Sequence, residues 1–116
     1  MSENRCIKIM GLALGLLAST LANAGYGVGT VGQLLVGRLG DQVYVELLSA
    51  SIASWPCSAT HPNGFRYAFL LSQAGGRDML ATVLAAKAAG QLVQIVGSGA
   101  CTIDATLENA LYVVAQ

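Results

Sequence analysis

The chain has 116 residues with six basic and six acidic side chains and one histidine, so it carries no formal net charge at pH 7. Its 10 % of charged residues form no basic face, which argues against binding nucleic acid by neutralising phosphates. The length holds one small domain, and such a domain needs a staple or partner subunits because it buries a modest fraction of its surface.

The first element is a leader. Arg5 and Lys8 precede an uncharged, largely apolar run from Ile9 to Leu21, and Ala22-Asn23-Ala24 supplies the small-x-small pattern cut by signal peptidase. Residues 1–24 therefore read as a signal peptide with cleavage between Ala24 and Gly25, leaving residues 25–116 as a secreted or periplasmic domain. A retained membrane helix is the alternative, since no charge falls between Lys8 and Arg38. Against it, the apolar run is short for a span of about 20 residues and breaks up at Gly25-Tyr26-Gly27-Val28-Gly29. The expectation is a protein that is not integral to the membrane.

Removal of the leader takes away Cys6 and leaves Cys57 and Cys101, an even pair that in an exported protein reads as a disulfide. A metal site is the competing reading, because Cys57 with His61 and Cys101 with Asp104 have spacings that zinc accepts. Thiolates survive poorly in an oxidising compartment, and no metal or cofactor is expected. The remaining charges, Arg38, Arg66, Arg77 and Lys87 against Asp41, Glu46, Asp78, Asp104 and Glu108, are few beside so many apolar residues. That sparseness points to a surface partly covered by other subunits.

From Thr30 the chain alternates as a strand, turns at Gly40-Asp41 and returns as a second strand over Gln42 to Leu48. Val43, Val45 and Leu47 are expected in the core, with Tyr44 and Glu46 facing solvent or a neighbour. Ser49 to Gly64 has neither helical nor strand periodicity and reads as a long loop pinned by Cys57. A third strand covers Phe65 to Ser72. Arg77 to Ala89 reads as a helix with Leu80, Val83 and Leu84 at helical spacing, Asp78 and Lys87 suited to its dipole, and Gly90 as its stop. Gln91 to Val96 and a segment near Ala110 to Val114 complete the pattern. Five strands with one helix between the third and fourth is the element order of the OB-fold, a mainly β, partly open Greek-key barrel that binds oligosaccharides and oligonucleotides.

The signal peptide, the Val36-Gly37-Arg38-Leu39 strand end, Cys57 after the second strand, the alanine-rich helix running into Ala89-Gly90-Gln91-Leu92-Val93-Gln94-Ile95, and Cys101 soon afterwards resemble the B subunit of subtilase cytotoxin and its stand-alone relatives. The resemblance covers roughly Val31 to Val114. It implies a homopentamer of OB-fold subunits that binds host cell-surface glycans, with a possible toxin A subunit as partner. In that class the helices line a central pore and edge strands pair between subunits. The chain departs from the toxin subunit in being shorter, chiefly between the second and third strands and at the C-terminus, and the toxin's sugar-contacting residues have no position-by-position match here.

Sugars are held by hydrogen bonds to their hydroxyls and by aromatic rings packed on their apolar faces, so a site needs Trp or Tyr beside polar groups. Trp55, Ser58, Thr60, His61, Asn63 and Arg66 form such a set in one loop, and Tyr26 joins them from the start of the mature chain. Each has a plainer role: Trp55 as a lid on the disulfide, His61 as an exposed loop residue, Asn63-Gly64 as a turn, and Arg66 as an ion-pair partner of Glu46 or Asp104. Catalysis is not expected, because the one histidine has no carboxylate near it in sequence and Cys57 is taken up by the disulfide. Gly97-Ser98-Gly99 lacks the lysine of a phosphate loop and reads as a turn. A non-catalytic periplasmic module that binds a protein partner by strand addition is the alternative to the glycan-binding reading.

Overall fold

The computed structural model describes residues 24–57 and 59–116. The expected signal peptide, Ala24 apart, and the candidate Ser58 lie outside the described residues. The elements run β1 (Tyr26–Arg38), β2 (Gln42–Ala53), β3 (Tyr67–Leu70), α1 (Gly76–Ala89), β4 (Leu92–Gly97) and β5 (Glu108–Ala115). The fold is mainly β, with one helix among the described residues, placed between the third and fourth strands.

The strands form one mixed sheet in the order β1-β2-β3-β5-β4, and the pairing of β4 with β1 closes it into a ring. All pairs are antiparallel except β3 with β5, which meet in parallel only at Tyr67↔Glu108 and Ala68↔Asn109. β1 does double duty: Tyr26 to Thr30 pair with β4, while the strand pairs with β2 along its whole length. Register shifts between Val28 and Thr30, Val31 and Leu34, and Val36 and Arg38 bend it around the core.

Several boundaries differ from the sequence reading. β1 starts at Tyr26 rather than Thr30, and β2 continues to Ala53 through the segment expected to be loop. The two extensions have one cause, since Tyr26, Gly27 and Val28 pair with Ala53, Ile52 and Ser51. Ladder pairing outweighs the weak strand preference of Ser and Ala there. The turn spans Leu39, Gly40 and Asp41, because Arg38 pairs with Gln42 and Leu39 and Gly40 both take positive φ, 52° and 93°.

Val43, Val45 and Leu47 point inward as expected, joined by Tyr67, Phe69, Val93 and Ile95. The helix closes this core with Met79, Val83 and Ala86, a face rotated from the expected Leu80, Val83 and Leu84; Leu84 is 48 % exposed. Gly76 sets the helix against the sheet, since a Cβ there would lie 2.1 Å from the Leu70 carbonyl oxygen. Tyr44 is buried rather than solvent-facing. It packs with Phe65, Ala68 and Leu107 in a second cluster on the outer side of β2 and β3. The connection from β2 to β3 is tied to the segment ahead of β5 by the Cys57–Cys101 disulfide, with the two Cα atoms 5.8 Å apart.

Candidate functional site

The connection between β2 and β3, residues 54–66, carries most of the candidate residues. Trp55 leaves the end of β2 and sets its ring edge-on against buried Tyr67, centroids 6.2 Å apart and planes at 76°. The Arg66 guanidinium carbon stands 5.5 Å from the centre of the indole, a cation–π distance. Trp55 is thus half-buried as a lid, on Tyr67, and it presents an indole beside a cation at the protein surface. Arg66 does not meet the acids expected for it: Glu46 Oε1 accepts the Gln33 backbone N–H at 3.0 Å, and Asp104 is engaged elsewhere.

His61 belongs to a neighbouring aromatic group. Its ring lies 5.5 Å from Phe65 and 6.0 Å from Tyr44, edge to face in both cases. Nδ1 accepts the Asn63 backbone N–H at 3.2 Å, and Gly64 N–H donates to the His61 carbonyl at 3.1 Å, so His61-Pro62-Asn63-Gly64 is a turn. That contact leaves Nε2 as the protonated nitrogen of the neutral ring. Thr60 and Asn63 are exposed along the same connection.

A polar chain that sequence reading missed continues from this group. Tyr44 Oη lies 3.2 Å from Asp104 Oδ2 and 3.3 Å from Gln42 Oε1, positioned to donate its proton to either, and Arg38 stands 5.7 Å over the Tyr44 ring. Asp104 Oδ1 accepts the Thr106 hydroxyl at 2.6 Å and the Thr106 backbone N–H at 2.9 Å. The Thr106 hydroxyl above all holds the Asp104 carboxyl below its ordinary range, against the opposing effect of burial, with Tyr44 and His61 adding to it. Burial first, and then the Asp104 charge, pushes the Tyr44 phenol up. No sequence pattern joins Arg38, Tyr44 and Asp104; the β1–β2 hairpin and the connection from β4 to β5 bring them together.

Tyr26 sits at the start of β1, opposite Ala53, itself two residues before Trp55, and is 46 % exposed. The other side of the same rung is Val96, which pairs in turn with Tyr112 on β5, itself 52 % exposed. Two tyrosines thus flank Val96 across three strands. Alternation within the last strand hides Tyr112, because a register shift between Ala110 and Tyr112 leaves both Leu111 and Tyr112 outward between inward Ala110 and partly buried Val113.

Trp55 and Arg66 together offer an aromatic ring face and hydrogen-bond donors, and Thr60 and Asn63 are further exposed polar groups on the same connection. Among the described residues no group of three or more His, Cys, Asp or Glu is placed to hold a metal ion. No described helix is long and apolar enough to cross a membrane. Comparison with protein-family models, with curated proteins and with solved structures returns no match.

Proposed function

We propose that this is an exported, non-enzymatic glycan-binding protein, an OB-fold subunit that assembles as a homopentamer and attaches to host cell-surface carbohydrate in the manner of toxin B subunits. The observation that carries the reading is the indole of Trp55 beside the Arg66 guanidinium on a disulfide-tied connection, a partly exposed aromatic and cationic pair on a rigid frame. The ring-closed strand order and the helix between β3 and β4 support the OB-fold. The disulfide fits an oxidising compartment.

Assembly has its own support. Beyond Asn109, β5 has no pairing with β3 among the described residues, and this stretch exposes Leu111, Tyr112 and Val114. Such an edge accepts a strand from another subunit. Five weak sites on one face would multiply avidity where receptors are dense, and delivery of a toxin A subunit would follow from the same ring. The same edge also favours a second reading, a module that binds a protein partner by strand addition.

Light scattering after size exclusion, followed by a glycan array, separates the two. A pentamer that binds a defined class of glycan, and loses it on Trp55→Ala, is the expected result. A monomer that binds no glycan overturns the proposal and leaves the second reading.

A further inference from the structure

Glu108 begins β5 and is 0 % exposed, the one buried acid among the described residues. Its Oε2 accepts the backbone N–H of Gly25 at 2.9 Å and that of Gly99 at 3.0 Å. Oε1 has no hydrogen-bond partner among the described residues, and neither does the Tyr67 hydroxyl. A buried carboxylate held by two neutral amides, with one oxygen left over, is under-satisfied, because buried charges are ordinarily paired with an opposite charge.

Glycine surrounds this carboxylate for steric reasons. A Cβ at Gly97 would fall 2.0 Å from Glu108 Oε2, and one at Gly25 would fall 2.8 Å from Oε1 and 2.6 Å from the Ser54 carbonyl oxygen. Gly25 is fixed in turn by the Gly97 N–H, which donates to its carbonyl at 2.8 Å. The nitrogen aimed at Glu108 is therefore that of the residue directly after Ala22-Asn23-Ala24.

We infer that Glu108 is a built-in binding site for a primary ammonium, the new N-terminus created by cleavage between Ala24 and Gly25. Hydrolysis breaks that peptide bond, water supplies the second oxygen of the Ala24 carboxylate, and the Gly25 nitrogen leaves as an amine that takes up a proton. One N–H donor becomes three, and a positive charge arrives where a buried negative one waits. Oε1 gains the donor it lacks, and the carbonyl oxygens of Ala53 and Ser54 lie against the same glycine as further acceptors. The other titratable groups near the site are the Tyr67 hydroxyl, which feels the charges of Glu108 and Arg66, and Arg66 itself, whose guanidinium stands over Trp55. Processing thereby locks the first strand to the last. The inference rests on export with cleavage after Ala24 and is independent of glycan binding.

The test uses two chains, one starting at Gly25, made with a protease that leaves glycine first, and one starting at Leu21, each with Glu108 and with Glu108→Gln. In urea, Glu108→Gln should lower the folding equilibrium constant at least about tenfold more in the chain starting at Gly25 than in the extended one. Equal effects overturn the inference. A second measurement needs no variant: the Gly25 α-amine of the folded chain should react with acetic anhydride at least about tenfold more slowly than in the urea-unfolded chain, and equal rates overturn it. Exported protein should have the intact mass of a chain beginning at Gly25. A different first residue overturns the role of processing.

Discussion

Replacing Cys57 and Cys101 together by alanine removes the covalent tie between the approach to β3 and the approach to β5. The cysteines are 44 positions apart, and releasing a loop of that length returns enough chain entropy to the unfolded state to cost about 4 kcal/mol. Small domains have total stabilities of about 5–15 kcal/mol, so the loss is a large fraction of the whole. At about 4–8 °C per kcal/mol for a domain of this size, the midpoint of thermal unfolding should fall by roughly 16–32 °C. Urea titration followed by circular dichroism measures the change directly, and the wild-type chain under reducing conditions should match the double variant. A loss below about 1 kcal/mol would refute the reasoning, because it would mean that the two segments are already held together in the unfolded chain.

Trp55→Ala should weaken glycan binding by about tenfold, or ~1.4 kcal/mol, while Trp55→Phe retains part of it, as read by isothermal titration against the best array ligand. Gly76→Ala should destabilise the fold by about 1–3 kcal/mol in urea, because the added methyl meets the Leu70 backbone oxygen, which has little freedom to yield. Asp104→Asn should cost about 1 kcal/mol at neutral pH through the bonds to Thr106 and Tyr44. Because the Asp104 carboxyl is held below its ordinary value, that stabilisation is present above the unfolded carboxylate range and disappears as pH falls through the folded value; the difference between wild type and Asp104→Asn should shrink on acidification. Leu84→Glu, on the exposed side of α1, should leave monomer stability within about 0.5 kcal/mol yet reduce the oligomer mass seen by light scattering if the helices meet at the centre of a ring.

Strong local signals translated well from sequence to structure. The alternation of Val43, Val45 and Leu47, the helix stop at Gly90, and the two remaining cysteines each depend on short-range chemistry or on simple counting. Non-local features were hidden. Ser49 to Ala53 lacks strand composition and becomes strand because the glycine-rich start of β1 lies beside it. Tyr44 alternates as an outward residue, yet Phe65 and Leu107 arrive from distant segments to cover it. The helix buries Met79, Val83 and Ala86 in the cluster that Val31, Val93, Ile95 and Ala110 supply from distant strands, a choice among overlapping apolar stripes that the helical period alone does not make. In the candidate site, Trp55 and Arg66 were legible as a composition of loop residues, whereas their stacking, and the Arg38, Tyr44 and Asp104 group, depend on sheet register.

The short parallel contact between β3 and β5 has a mechanical consequence. A cylinder sealed by only two residue pairs along one line will breathe there first, and among the paired core residues amide exchange should be fastest at Glu108, whose N–H donates across that line to the Arg66 carbonyl at 3.3 Å. Cys57 and Cys101 precede the two strands that meet on that line, so their bond fastens one end of the weakest join as a rivet fastens a lap joint. Reduction would then act less like a general softening than like unzipping, releasing the Trp55 connection while the hairpin of β1 and β2 stays intact.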